Sequence, residues 1–113
     1  MLGRGFLTGV LAPDTTFPPG DFRAENPRFQ PDAMRANLAL VERIREVAGG
    51  LGSTPAQVCI AWVLAQGEHV LAIPGTKRLS YLEEDLAADG LVLDAAAMQA
   101  LNALPAAVGA RYA

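Results

Sequence analysis

Residues 70 to 85 read VLAIPGTKRLSYLEED, and this stretch decides the predicted fold class. The apolar run from Val70 to Ile73 is bounded by turn residues, which predicts a strand buried on both faces of a parallel sheet. A Pro-Gly pair ends the predicted strand, and a helix is expected from Leu79 to about Ala88. A buried strand followed by a helix is typical of an α/β protein.

The turn between this strand and this helix has the composition of an anion-binding site. Gly75 lets the backbone approach a ligand with no Cβ in the way, and Thr76 offers a hydroxyl. Lys77 and Arg78 place two cations beside a helix N-terminus, where anions bind readily. The pattern therefore predicts a phosphate site. From the spacing alone, a solvated turn is the commoner explanation of such a run, so both interpretations stand at this point.

The rest of the chain is predicted to be mostly helical. Residues 12 to 30 are rich in proline and polar residues, which indicates a long irregular loop. Apolar residues at every third or fourth position predict an amphipathic helix over residues 31 to 48, stopped by Gly49 and Gly50. Ser53 or Thr54 is expected to cap an almost wholly apolar helix ending near Gln66, and Asp94 to cap a last helix ending near Leu104.

Composition narrows the classes of protein to which the chain can belong. Its 51% hydrophobic and 19% charged residues are typical of a globular protein. Nine basic against twelve acidic residues argue against a broad nucleic-acid surface. One cysteine, Cys59, excludes an internal disulfide and a cysteine-built metal cluster. No apolar run has the length of a membrane span. We therefore expect a cytoplasmic protein without metal, nucleic-acid or membrane partners.

Four segments, in order, resemble the aldo/keto reductase family. IPGTKRLSYLEEDLAA, residues 73 to 88, is similar to the segment with which that family holds the adenosine 2′-phosphate of NADPH. MLGRGFLTG at residues 1 to 9 resembles the loop after the seventh barrel strand. TPAQVCIAWVLAQ at residues 54 to 66 resembles the helix between the last two strands, and VGARY at residues 108 to 112 a common C-terminus. These matches favour the phosphate site over the solvated turn.

The resemblance implies an α/β fold that is part of a TIM (β/α)8 barrel. The chain would supply the last strand, its flanking helices and the C-terminal helix, and would be mostly helical in isolation. Residues 1–113 would form a single incomplete domain, with a cofactor and substrate loop over 1–30 and helices plus the last strand over 31–113. A whole barrel takes roughly 250 residues. We therefore expect a truncated product or a mis-called start, with unpaired barrel edges that favour self-association.

The resemblance also implies NADP(H) as the cofactor and assigns residues to it. Gly75, Thr76, Lys77 and Arg78 would hold the adenosine phosphate. Arg78 is the best candidate for the 2′-phosphate, because its planar fork donates two parallel hydrogen bonds to phosphate oxygens.

Two further groups of cofactor residues follow from the same resemblance. Glu84 and Asp85 fall where the family often has Glu-Asn reaching the adenine edge. An ionised Asp85 accepts hydrogen bonds but donates none, so this position departs from the family pattern. The same acidic residues are also typical of a solvated helix face. The remaining expected contacts lie in the loop that covers the pyrophosphate, at Leu2, Gly3, Arg4 and Gly5.

The implied function is that of a fragment of an NADPH-dependent oxidoreductase that reduces aldehydes or ketones. The family's catalytic Asp, Tyr, Lys and His come from earlier segments, so no catalytic residue is assigned and the chain alone is expected to be inactive. His69 precedes the predicted strand, which favours a surface or structural role. Two alternatives stay open: a non-catalytic helical interaction module and an inactive gene remnant.

Overall fold

The computed structural model describes residues 1–112, which fold into α-helices joined by irregular segments and short 3-10 turns. The helices are α1 (Pro31–Gly50), α2 (Pro55–Leu64), α3 (Leu79–Ala87) and α4 (Ala95–Asn102). The 3-10 turns are Phe6–Thr8, Phe22–Ala24, Pro27–Phe29 and Ala88–Gly90. The prediction of a mostly helical chain is confirmed.

The helix starts follow the capping residues that the sequence indicates. Thr54 and Gln57 form a capping box before α2, in which the Gln57 amide lies 3.2 Å from the Thr54 hydroxyl and the Thr54 amide 3.0 Å from Gln57 Oε1. Asp94 accepts a 2.7 Å hydrogen bond from the amide of Ala97 at the start of α4. Helix α1 continues through Gly50. The predicted stop at Gly49 was therefore slightly too early.

The predicted strand from Val70 to Ile73 is wrong for this structure. No strand occurs anywhere in residues 1–112, and the Val70 amide donates to the Gly67 carbonyl at 2.9 Å in a turn. Leu71 and Ile73 are 85% and 90% exposed. A strand needs a neighbour that pairs with its backbone groups, and the described part of the chain offers none. The structure is thus helical, and the barrel remains what the family resemblance implies.

Two clusters of apolar side chains hold the helices and the N-terminal segment together. One joins α1, α2 and α4 through Ile44, Ala48, Val58, Cys59 and Leu101. The other joins residues 1 to 30 to α1 through Phe6, Phe29, Met34 and Val41, with the Phe29 ring edge-on to Phe6 at 5.7 Å. The opening segment is therefore anchored on α1 at a fixed position.

Cys59 lies in the first of these clusters, where it is 8% exposed. Burial raises the pKa of its thiol to about 11. A buried thiol with a raised pKa is expected to be unreactive.

Within residues 1–112, no single helix is long and apolar enough to span a membrane. Helices α1 and α2 reach that length and apolar composition only together, and they are bent by 87° relative to each other.

Candidate functional site

A cleft of about 1190 Å³ lies between the N-terminal segment (residues 1 to 30), the start of α3 and the C-terminal tail that follows α4 (residues 103 to 112). Its lining includes all ten residues that the sequence resemblance assigns to a cofactor: Leu2, Gly3, Arg4, Gly5, Gly75, Thr76, Lys77, Arg78, Glu84 and Asp85. Two segments some seventy residues apart in sequence therefore face the same space. What these residues bind stays a prediction.

The charged residues of this acidic chain are unevenly distributed, and most of the basic side chains line the cleft. Six of the nine basic residues line it: Arg4, Arg23, Arg28, Lys77, Arg78 and Arg111. Two of the twelve acidic residues do so, Glu84 and Asp85. A concave surface with an excess of one sign of charge concentrates counter-ions, so the cleft attracts anions although the net charge of the chain is −3.

The turn before α3 presents its cations without protein anions to neutralise them. No ion pair within residues 1–112 involves Lys77 or Arg78. Arg78 is the residue before α3, and its guanidinium lies 5.4 Å from the centre of the Tyr81 ring. The Arg78 amide donates to the Thr76 hydroxyl at 3.3 Å, which fixes the turn locally. Both charged side chains are exposed and open to a ligand.

Gly75 is a glycine that the fold itself does not require. Its φ lies outside the left-handed region, and a Cβ built on it meets no atom within 4 Å. A residue with a Cβ is therefore compatible with the backbone here. The space beside Gly75 belongs to the cleft, so a close backbone approach by a ligand is compatible with the geometry.

The loop at the N-terminus turns through three consecutive left-handed residues, Gly3, Arg4 and Gly5, with φ values of 59°, 60° and 87°. Arg4 is the one non-glycine residue with positive φ in the described chain. Its guanidinium lies 4.6 Å from the centre of the Phe22 ring and donates to the Arg111 carbonyl at 2.8 Å. Arg4 thus joins the loop to the tail, in addition to lining the cleft.

Glu84 and Asp85 have different surroundings although they are adjacent. The Thr54 hydroxyl donates to Glu84 Oε1 at 2.6 Å, and the Gln57 side-chain amide donates to the Glu84 carbonyl at 3.1 Å. Glu84 therefore fastens α3 to the start of α2. Asp85 is 9% exposed, and no hydrogen bond to its carboxyl occurs within residues 1–112. Burial and then the nearby Glu84 charge raise the pKa of Asp85.

Asn37 holds the C-terminal tail, a role that was not predicted from the sequence. Asn37 is 3% exposed, donates to the Val108 carbonyl at 2.9 Å and accepts from the Val108 amide at 2.7 Å. It lies between Met34 and Val41 on the buried stripe of α1. A polar residue at a core position needs a partner, and this was the signal that could have identified it.

Two residues of the irregular loop over residues 12 to 30 also hold the C-terminal tail. The Asn26 side chain donates to the Arg111 carbonyl at 3.0 Å, and Arg28 Nε donates to the Gly109 carbonyl at 3.1 Å. Gly109 has a φ of +91°, and a Cβ there would lie 3.0 Å from the Pro27 carbonyl group. These contacts place Arg111 at the edge of the cleft.

Two other kinds of site receive no support from the described residues. His69 is exposed and does not line the cleft. Within residues 1–112, no group of three or more His, Cys, Asp or Glu residues is placed to hold a metal ion.

Comparison with known proteins identifies the family. Residues 1–106 match the aldo/keto reductase family. The chain is 46% identical, over 98% of its length, to the aldo-keto reductase yakc of Schizosaccharomyces pombe, whose name includes NADP(+). It is 41% identical, over 81% of its length, to the aldo-keto reductase str7 of Strobilurus tenacellus.

The matched regions cover 34% and 27% of these two relatives, so the chain spans about a third or less of their length. No solved structure matches the chain with comparable significance. The family match covers most of the chain and includes both segments that line the cleft, so the chain belongs to the aldo/keto reductase family.

Proposed function

We propose that this chain forms the adenosine-phosphate part of the NADP(H) site of an oxidoreductase that reduces aldehydes or ketones. The observation that carries the proposal is the gathering of six of the nine basic residues around one cleft. A phosphate monoester with nearly two negative charges suits such a surface. The NADP(+) in the name of the yeast relative supports the same cofactor.

Each residue around the turn before α3 would make a different contact with the 2′-phosphate. Arg78 offers a planar fork that matches two phosphate oxygens, and Lys77 adds a point charge. Gly75 leaves room for the phosphate beside the backbone. Gly3, Arg4 and Gly5 face the same cleft and would contact the pyrophosphate. The bound nicotinamide would supply the hydride, and the residues of this chain would bind and orient the cofactor.

We further propose that the proton donor to the carbonyl oxygen lies in a segment outside these 113 residues. The relatives align over about a third or less of their own length, which supports this division. The purified chain should then bind NADPH without oxidising it in the presence of an aldehyde or ketone. Carbonyl-dependent turnover above background would contradict the division.

The decisive experiment compares the affinities of NADPH and NADH, which differ by the 2′-phosphate. The unmodified chain should prefer NADPH, and Arg78→Ala should reduce that preference about tenfold or more, because a hydrogen bond to a charged group contributes roughly 1.5–3 kcal/mol. Arg43→Ala is the matched control: Arg43 lies outside the cleft, pairs with Glu46 at 2.9 Å, and its loss changes the net charge equally. Equal affinities for both nucleotides in the unmodified chain would refute the proposed site.

Gly75→Ala tests whether the ligand passes close to the backbone. The substitution meets no protein atom, so the free energy of unfolding should not fall, whereas NADPH affinity should fall. Gly49→Ala is the control, because Gly49 also has open space around it but lies outside the cleft. Unchanged NADPH affinity in the Gly75 variant would place the phosphate elsewhere.

A specific observation also favours self-association. Leu71, Ile73 and Val92 are each at least 80% exposed, so a second copy of the chain could bury this apolar surface. Sedimentation velocity over a range of concentrations should show a shift toward larger species. A single monomeric species at all concentrations would remove this candidate.

A further inference from the structure

Arg4 is held by neutral partners, which leave its charge available to a ligand. Its guanidinium lies 4.6 Å from the centre of the Phe22 ring and 5.0 Å from the centre of the Tyr112 ring. One of its N–H groups donates to the Arg111 carbonyl at 2.8 Å. An aromatic face and a carbonyl oxygen attract a guanidinium without cancelling its positive charge. The side chain is therefore oriented beside the cleft and remains a full cation.

Arg23 lines the same cleft and shows the opposite arrangement. Its guanidinium pairs with the Asp21 carboxylate at 2.6 Å, and its Nε donates to both oxygens of that carboxylate, at 3.0 and 3.1 Å. The carboxylate fixes the side chain of Arg23 but neutralises its charge. No ion pair within residues 1–112 involves Arg4. Of these two arginines, Arg4 is thus the one suited to hold an anion.

The turn at Arg4 also has hydrogen-bond donors that the described chain does not use. A guanidinium has several N–H groups, and Nη1 is the only nitrogen of this one that donates to an atom of residues 1–112. The backbone amides of Gly3 and Arg4 donate to no residue in the same range. Phosphate oxygens accept strong hydrogen bonds from such donors. The turn therefore presents a cation and free donors together.

The backbone of Arg4 indicates that its side chain has a role in this turn. Arg4 has a φ of 60° and lies between two glycines whose φ values are 59° and 87°. A residue with a Cβ adopts this left-handed conformation less readily than glycine does. A third glycine would therefore be favoured if the shape of the turn were the only requirement. Strained residues of this kind are frequent where a protein clamps a ligand.

We propose that the Phe22 and Tyr112 rings are positioning groups, which orient Arg4 toward the pyrophosphate of a bound dinucleotide. The inference rests on the proposed function, which places the turn of residues 3 to 5 against that pyrophosphate. An arginine that is already ordered loses less side-chain entropy when the ligand binds, so the two rings strengthen binding without contacting the ligand. The C-terminal tail thus takes part in cofactor binding through Tyr112.

The test measures the affinities of the 113-residue chain for NADPH and NADH, which share the pyrophosphate. Tyr112→Ala should lower both affinities about two- to fivefold, the loss expected for one cation–π contact at an exposed site, and Phe22→Ala should do the same. Tyr112→Phe keeps the ring and should leave both affinities unchanged. Val108→Ala is the matched control, because this side chain of the same tail is 52% exposed and does not line the cleft. It should also leave both affinities unchanged.

Arg4→Gly separates positioning of the guanidinium from any other role of the Tyr112 ring. Glycine adopts the same φ, so the turn is kept while the guanidinium is lost, and both affinities should fall about tenfold or more. In this variant a further Tyr112→Ala change should have no effect. If it still lowered the affinities, the ring would act through another group, such as the Arg111 guanidinium 5.6 Å away, and the inference would be overturned.

The same measurements distinguish this inference from the proposed function. Unchanged or higher NADPH affinity in Tyr112→Ala would overturn the inference, and a rise would show that the tail withholds Arg4 from the ligand. The preference for NADPH over NADH should persist in every one of these variants, because the 2′-phosphate is proposed to lie at Lys77 and Arg78. Equal affinities for the two nucleotides in the unmodified chain would instead overturn the proposed function, on which the inference rests.

Discussion

The attachment of the C-terminal tail to Asn37 is open to a quantitative test. The Asn37 side chain makes two hydrogen bonds with the Val108 backbone, at 2.9 and 2.7 Å, from a position that is 3% exposed. Each neutral hydrogen bond contributes about 1 kcal/mol, so the pair should be worth about 2 kcal/mol. Val108 itself is 52% exposed, so its backbone groups regain water when the contact is lost, which keeps the value near this figure.

A double-mutant cycle isolates this energy from other effects. The first change is Asn37→Leu, which keeps the number and branching of the side-chain heavy atoms, and the second is removal of residues 106–113. In the intact chain the leucine loses the tail contacts. In the shortened chain it replaces a buried amide without a partner, so it should stabilise the fold. The coupling energy between the two changes should be about 2 kcal/mol.

Urea unfolding followed by the fluorescence of Trp62, the single tryptophan, provides the measurement. Trp62 packs against the main core cluster and donates to Asn102 at 2.8 Å, so its emission should report global unfolding. A coupling energy below about 0.5 kcal/mol would show that Asn37 does not hold the tail.

Three further predictions concern stability and reactivity. Gly109→Ala should detach the tail, because φ is +91° and the new Cβ would lie 3.0 Å from the Pro27 carbonyl group. The detached tail should be cleaved faster by a protease, and an unchanged cleavage rate would contradict the contact. Cys59 should react with a thiol reagent far more slowly in the folded chain than in urea, because burial raises the pKa of its thiol to about 11. Equal reaction rates would show that the thiol is accessible in the folded chain. Asp85→Asn should raise the free energy of unfolding relative to the unmodified chain at neutral pH, and the difference should vanish in acid. The folded-state pKa of Asp85 is raised, so the folded chain binds more protons and loses stability as pH rises through that pKa. A variant less stable at neutral pH would contradict this sign.

The helices could be predicted from sequence because the signals for them are local. The capping residues Thr54 and Asp94 act within one turn of their helices, and the stripe of α1 repeats over its whole length. Local signals could not decide whether Val70 to Ile73 form a strand. Its formation depends on a pairing partner, and an apolar run carries no information on whether that partner is present.

The composition of the cleft was predictable only in part. Family resemblance brought together the ten residues of two segments, and the structure places all of them in one cleft. Arg23 and Arg28 join the same surface because the irregular loop folds back on α1, a consequence of tertiary packing around Phe29. No spacing rule connects these residues to Lys77. The same limitation hid Asn37, whose partner lies 71 residues away.

The preference for NADPH over NADH should depend on salt. Lys77 and Arg78 are exposed, so their attraction to a phosphate acts through water and is screened over about 10 Å at 0.1 M ionic strength. NADH lacks the 2′-phosphate that these two cations are proposed to hold. Added salt should therefore weaken the binding of NADPH more than the binding of NADH, so that the ratio of the two affinities falls. If salt instead weakened the binding of both nucleotides equally, the 2′-phosphate would not lie beside Lys77 and Arg78.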